Sequence, residues 1–487
     1  MENLFRMKKE IAYCVIFLLC VASGRGQNYH AVQGSSYAGS LGIANNPSSM
    51  ISTPYRWDVN LIGVQFKAST NIITVHDFSL LSPSKSSQWS IDAGDFARKG
   101  RVAYNVNLLN GRFTLNRKEA FGFGVNMRGY TKIKTDPYNF NDTLTGIRDF
   151  FDINESNRVI GGEFTGSSWI ELFASYARTI WDRPFERLNA GVTVKLSRGL
   201  AGGFAKLSGL RFQQQSTANE TYYLLRDAAL NYGYSSNFDR WQDNKSSREN
   251  ARDFVKFTEG GIALDFGVEY LLKNGAAPSY DVGDDYYDYE WKFGASLLDV
   301  GLNQYKYGNG SRTMKGIRAD ITDTTAENKF RNISGIDQMN DSLATIVNSI
   351  SPLSGKFSII NPMRLVLNAD RYLFDAFYVN GELSFNLSGL AGKKYKRVSE
   401  MNLLTVTPRW ETKRFGVYLP MQVNTLGKFW IGGAFKAGPL LFGVHNWANV
   451  FSKDKMQQGG GYIALVIRAF NNVEGRKDRR LNCPDDK

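Results

Sequence analysis

Over most of the chain, apolar residues stand at every second position with small or polar residues between them, in segments of roughly ten residues. No other feature narrows the fold as far. Val102, Tyr104, Val106 and Leu108 alternate with Ala103, Asn105 and Asn107. Phe121, Phe123, Val125 and Met127 alternate with Gly122, Gly124, Asn126 and Arg128. Leu188, Ala190, Val192, Val194 and Leu196 stand against Asn189, Gly191, Thr193 and Lys195. The same rhythm runs through Ile262–Tyr270, Tyr289–Leu297, Phe377–Leu387 and Ile463–Ile467, and the last segment ends on Phe470. Successive side chains of a strand point to opposite faces. Such strands therefore have one apolar face and one lined with Gly, Asn, Lys and Glu. A two-sided soluble core cannot take that second face. A transmembrane barrel with a polar lumen can, and so can a β-sandwich with one wet face.

The N-terminus weighs between these two. Arg6, Lys8 and Lys9 precede the apolar run Ile11–Ala22, and small residues follow in Ser23-Gly24-Arg25-Gly26-Gln27. This order predicts a secretory signal peptide cut before Gln27, or else before Arg25. The run is too short to span a bilayer, which takes about 20 apolar residues. Bulky Leu19 directly before Cys20 argues against a lipid-modified cysteine. Cys14 and Cys20 leave with the signal, so Cys483 stands alone and no internal disulfide can form. Beyond the signal no run of 18 apolar residues offers a transmembrane helix. Aromatics make up 13% of the residues, with 24 Tyr and 32 Phe, which suits girdles at two membrane interfaces.

The expected fold is an all-β transmembrane antiparallel barrel of about 14 strands, with 12 and 16 open. Its expected parts are a signal peptide (1–26), an N-terminal plug or lead-in segment (27–55), the barrel (56–471) and a charged periplasmic tail (472–487). Long extracellular loops should join the strands at one end. Tyr222–Leu230 and Asp337–Val347 read as short amphipathic helices within such loops, and the acidic stretch Asp281–Asp285 reads as another loop. The alternative is a secreted surface β-sandwich adhesin, which would need neither strands of this length nor the aromatic ending at Phe470.

Chemistry-bearing patterns are sparse. The mature chain holds only His30, His76 and His445, none placed beside a Ser–Asp pair, and no His/Cys/Asp grouping has metal-ligand spacing. Gly202-Gly203 and Gly459-Gly460-Gly461 lack the strand–loop–helix context and the Lys-Ser/Thr of a phosphate loop. No catalytic, cofactor-binding or metal residue is expected, and the chain reads as a non-enzyme. The informative residues are charges on the polar faces: Lys195, Asp265, Glu269, Glu290, Lys292 and Glu382. In a barrel these face the lumen, where they either pair with one another or line a passage. The net charge of +13 suits contact with outer-membrane lipid and lipopolysaccharide phosphates, although solvated surface Lys and Arg would account for it equally. Export excludes nucleic acid as a partner.

Ser36–Met50 contains Asn46-Pro47-Ser48. Proline fixes its own φ and pushes the preceding residue to an extended conformation, so Asn46-Pro47 should make a rigid elbow. The stretch resembles the N-terminal plug of the long-chain fatty-acid transporter superfamily, where a Gly/Ala-rich segment leads to Asn-Pro-Ala; here Ser48 replaces the alanine. Val192–Gly203, Phe293–Gly301, Gly432–Gly443 and Asp370-Arg371-Tyr372 resemble a Bacteroidota outer-membrane barrel family of unknown function. These resemblances imply a 14-stranded barrel with an N-terminal plug. They leave two roles open: transport or presentation of a hydrophobic ligand, or service as a component of an envelope or secretion assembly, such as a type IX secretion scaffold. Transport predicts a lateral opening or an apolar lumen pocket beside Asn46-Pro47. The assembly role predicts a filled lumen with the work done by the loops or the tail.

Overall fold

The computed structural model describes residues 29–470 except 80–86, 117, 155–157, 219, 274–288, 393–394, 426 and 452–454. The expected signal peptide, the stretch Asp281–Asp285 and the tail lie outside the described residues. A closed antiparallel barrel of 14 strands forms the body of the molecule. In chain order these are β1 (Tyr55–Thr70), β2 (Gly94–Asn116), β3 (Glu119–Phe140), β4 (Ile160–Asp182), β5 (Glu186–Ser216), β6 (Gly260–Leu272) and β7 (Trp291–Lys306). Then follow β8 (Arg364–Phe374), β9 (Phe377–Asn386), β10 (Leu403–Glu411), β11 (Phe415–Tyr418 with Met421–Asn424), β12 (Phe429–Ile431 with Gly433–Ala437), β13 (Leu440–Val444) and β14 (Gln458–Phe470). Each strand pairs with its sequence neighbour, and β1 closes the ring on β14, with Tyr55 opposite Phe470. Closure leaves no row of unpaired backbone groups, which a strand exposed to lipid could not satisfy.

Burial is inverted relative to a soluble core. Leu172 and Leu196, paired across β4 and β5, are each 60% exposed, and Phe266, Val268, Phe293, Leu383, Phe385, Ile463 and Ile467 are exposed on the same outer surface. Their strand neighbours inside, including Asp58, Asn189, Asp265 and Asn380, are buried. A continuous apolar outer wall around a polar interior is stable only with hydrocarbon outside, so the barrel is a membrane barrel. The described helices are short, and none is long and apolar enough to cross a membrane.

The two ends differ. Short turns at 183–185, 375–376, 412–414 and 438–439 close one end, where the chain enters at Tyr55 and leaves at Phe470. The other carries the long connections. Crossing a bilayer takes about 9–11 tilted residues, whereas β4 has 23 and β5 has 31. These strands therefore rise beyond the membrane on the loop end. The upper half of β5 pairs with Thr221–Tyr234, which pairs in turn with Arg312–Ile317 and then Val347–Pro352. Helices α1 (Ile147–Asp152), α3 (Asp323–Phe330) and α4 (Ile336–Ile346) pack on this ribbon, α2 (Ser247–Val255) packs on the turn Phe238–Arg240, and Tyr232, Met314, Ile321, Ala326 and Ile346 form a satellite core beneath α3 and α4.

One reading is corrected here. Tyr222–Leu230 is strand rather than helix: hairpin pairing with the projecting half of β5, which ends at Ser216, overrides the local propensity of Leu-Leu-Arg-Asp-Ala-Ala. The helix read at Asp337–Val347 is α4. The described ends of β6 and β7 that flank the undescribed stretch, Leu272 and Trp291, pair at the turn end.

Candidate functional site

Residues 29–54 pack inside the ring of strands, and the lumen they occupy is the candidate site. Three short 3-10 turns (His30–Val32, Gly39–Gly42 and Pro47–Met50) keep the segment compact. Asn46 is extended (φ −156°, ψ 110°) and Pro47 opens the third turn. The Asn46 side-chain oxygen accepts from the Ser48 backbone N–H (3.1 Å) and from the Ser48 hydroxyl (2.6 Å). An alanine at 48 would lack the second bond, so the serine is put to structural use. The Asn46 amide donates to the Val268 carbonyl on β6 (3.0 Å). The elbow fits because the wall facing it has no side chains. A Cβ at Gly191 would lie 2.6 Å from the Pro47 carbonyl carbon, and one at Gly267 would lie 2.1 Å from the Asn46 side-chain oxygen.

Charged residues from the wall tie this segment down. Arg112 on β2 donates to the Asp58 carboxylate (2.7 Å), to the Met50 carbonyl (2.8 Å) and to the Tyr55 carbonyl. Asp58 in turn accepts from the Ser40 N–H (2.6 Å). The Glu269 carboxylate accepts from the Ser52 hydroxyl (2.5 Å) and lies 3.9 Å from Lys292, whose ammonium donates to Ser36 (3.3 Å). Near the turn end, Glu411 accepts from Ser35 (2.5 Å), Lys436 (2.9 Å) and Arg409 (3.2 Å), and Arg409 grips Asp370 through two bonds of 2.6 and 2.8 Å. Arg364 donates to the Ala44 carbonyl and the Asn45 side chain, both at 3.3 Å.

A second network sits in mid-lumen. Lys195 bridges Asp265 (2.6 Å) and Asp299 (2.7 Å), and Asp299 takes a bidentate pair from Arg128 (2.6 and 2.7 Å). Arg128 also reaches Tyr130 (2.7 Å), which donates to Glu400 (3.1 Å). Glu171 accepts from the Trp169 indole (2.7 Å). Almost every buried charge here has an opposite partner, which is how charge survives out of water.

Of the residues singled out from the sequence, Lys195 and Asp265 share one ion-paired cluster, and Glu269 and Lys292 another. Glu382 is buried on the inner face of β9. Glu290 departs from expectation. The strand begins one residue later, at Trp291, and Glu290 is exposed at the rim. Tyr289, read as outward, is buried instead and donates its hydroxyl to Asp370. Alternation can be extrapolated only as far as the strand runs. Asp299 is the central carboxylate that the pattern missed. By parity with Leu297 it should face lipid, but a bulge between Leu297 and Val300 turns Leu298 and Asp299 both inward, with Asp299 at φ 59°. The Leu-Leu-Asp run inside a strand was the available signal.

The space left in mid-lumen is small. The cavity bordered by Ser40, Ile43, Ala44, Asn126, Arg128 and Lys195 has a volume of about 20 Å³, room for a water. The wall beside it is irregular. Leu61-Ile62 on β1 and Leu108-Leu109 on β2 are all exposed outward, and pairing between the two strands skips from Asn60–Asn110 to Gly63–Asn107. Inside this seam, Tyr29 donates to Asn107 (2.7 Å), and Asn107 and Asn110 both donate to Asn126 (2.7 and 3.0 Å).

His76 and His445 take no part in these networks. His76 bonds Ser90 (2.8 Å) in the hairpin that follows β1, and His445 is buried against the Tyr462 ring just past the end of β13. Among the described residues no group of His, Cys, Asp and Glu has the arrangement of a metal site.

The family described as a family of unknown function, DUF5723, matches residues 47–445. No curated protein matches the sequence. Similar solved structures include a Pseudomonas aeruginosa FadL homologue, at 11% identity and TM-score 0.40, covering 91% of this chain and 96% of the other. The TodX deltaS2S3 mutant monoaromatic hydrocarbon channel has 10% identity and TM-score 0.40, covering 91% and 98%. The Ralstonia pickettii toluene transporter TbuX has 8% identity and TM-score 0.32, covering 92% and 98%.

Proposed function

We propose, on the premise that the chain belongs to the DUF5723 family of unknown function, that it is a non-enzymatic outer-membrane barrel closed by its own residues 29–54. It works as an envelope component through its loop end rather than as an open pore. One observation carries this reading. Mid-lumen is occupied by a segment held through ion-paired wall residues, and the cavity beside it at Ser40, Arg128 and Lys195 has a volume of about 20 Å³. Residues 29–54 are the plug, Asn46-Pro47 is its elbow, and the charged lumen residues stiffen a closed barrel. The turn end faces the periplasm, and the projecting β4 and β5 present the loop ribbon to the outside, where basic side chains meet lipopolysaccharide phosphates.

The test is single-channel recording of the purified full chain in planar bilayers. Closed membranes are expected for the natural chain, and openings for a variant with a loosened plug such as Arg112→Met. Steady conductance by the natural chain overturns the reading. A second reading, lateral passage of a hydrophobic solute, is favoured by the seam between β1 and β2. It predicts faster uptake of radiolabelled toluene by cells carrying the chain than by cells lacking it, and equal rates remove it.

A further inference from the structure

The inner wall at the loop end carries a charge arrangement that the closed barrel does not need. On β2 and β3, Arg101 stands directly opposite Lys132, and Lys99 directly opposite Lys134. All four share the face of buried Ala103 and Tyr130, so they point into the mouth of the barrel. Like charges directly across a strand pair destabilise the sheet, and here two such pairs adjoin. The lower lumen behaves differently, since there nearly every cation has a carboxylate. In the mouth, Glu163 serves two cations, reaching Lys132 (2.7 Å) and standing directly opposite Lys134 on β4, while among the described residues no ion pair is made by Lys99 or Arg101.

These cations border an open cavity of about 400 Å³, which Ser69, Thr70 and Asn71 also line and which Lys428 closes from the turn between β11 and β12. That volume lies within the range of about 300–1,000 Å³ typical of small-molecule sites. Among the described lining residues there is no Asp or Glu. Met401, on its floor, also lines a small cavity that holds Lys67. Lys67 is buried and its ammonium makes no hydrogen bond; the Trp430 ring lies at 5.7 Å, and Glu382 and Glu400 are its counter-charges.

We infer that this mouth binds a soluble phosphate-bearing polyanion, held by Arg101, Lys132, Lys99, Lys134 and Lys428. A phosphate concentrates close to two charges and three acceptor oxygens on one group, which fits donors that converge from two facing strands. The inward aim of the side chains favours a soluble ligand over a lipid headgroup, which would approach from the outer wall. The inference does not depend on the closed lumen: conductance in bilayers would overturn that reading and leave this one standing.

The probe is sodium pyrophosphate, titrated calorimetrically into the detergent-purified full chain at low and high salt. Saturable binding that weakens with salt is expected. Loss of two charge-assisted contacts in Arg101→Gln/Lys132→Gln should weaken it at least about tenfold. Lys118→Gln, at the turn end, should leave it unchanged. The double variant relieves repulsion and should melt no lower than the natural chain; if it does melt lower, the single variant Arg101→Gln replaces it with the same expected direction. Equal binding by the double variant, or no binding of pyrophosphate by the natural chain, overturns the inference. So does binding confined to nanodiscs containing lipid A, because the ligand is then a headgroup.

Discussion

Replacing Arg112 by methionine keeps most of the side-chain volume and removes a guanidinium that holds three groups at once. Asp58 loses its cation at 2.7 Å, and the carbonyls of Met50 and Tyr55 lose their donor. Asp58 keeps the Ser40 N–H, so it is left buried, charged and half-satisfied. Removing one partner of a buried pair costs about 3–5 kcal/mol, mostly from the stranded charge. At 1.4 kcal/mol per tenfold, release of the 29–54 segment should become easier by about a hundred- to a few-thousandfold. Two assays read this: denaturant unfolding of the barrel in lipid, and protease nicking of the segment from the turn end. The double variant Arg112→Met/Asp58→Asn removes the stranded charge and should recover more than half of the loss. A single variant within about 0.5 kcal/mol of the natural chain would refute the claim that this buried pair anchors the segment.

Three further perturbations follow from the same geometry. Gly267→Val places a Cβ 2.1 Å from the Asn46 side-chain oxygen and 2.8 Å from Pro47, so it should block seating of the elbow and abolish the fast-migrating form on an unheated gel. Gly389→Ala, whose Cβ meets open space, should migrate normally. Leu172→Arg or Leu196→Arg puts charge on the outer wall and should cost about 2–4 kcal/mol in lipid if these residues lie at mid-membrane; unchanged stability of both would remove the lipid-facing assignment. In α2, hydrogen bonds from Lys256 (2.9 Å) and Lys245 (3.0 Å) hold the Asp253 carboxyl down at about 2. A depressed carboxyl stabilises above its unfolded value of about 3.9, and the effect fades as pH falls from there through about 2. Amide protection over 247–255, corrected for the intrinsic pH dependence of exchange, should therefore stay constant from pH 7 to 5 and fall only below about 4, and a fall already near pH 6 contradicts the assignment.

Much of the barrel is readable from local pattern because its rule is local. Lipid on one side and a polar lumen on the other impose a period of two on every spanning strand. The faces of β3, β4, β5, β6, β9 and β14 can therefore be assigned residue by residue, and Lys195, Asp265, Glu269, Lys292 and Glu382 fall on the inner ones. The Asn46-Pro47 elbow is equally local: proline stereochemistry dictates the extended Asn46 and the turn that follows. Where the period breaks, local reading fails. The bulge at Leu298-Asp299 brought an unforeseen carboxylate into the centre, and the late start of β7 exchanged Glu290 for Tyr289. The strand Thr221–Tyr234 exists only because β5 runs past the membrane and offers it an edge.

The sequence alone thus determined the class of solvent on each face, the approximate strand number and the rigid turn of the N-terminal segment, since each follows from residue type and spacing within one stretch of chain. Only the tertiary structure decided that residues 29–54 fill the lumen. It also decided that Asp299 joins Arg128 to Lys195, and that four cations face one another at the mouth. The first two are meetings between segments far apart in sequence, the third follows from the register of one hairpin, and in each the partners are chosen by register, bulges and closure of the ring, which no local period encodes.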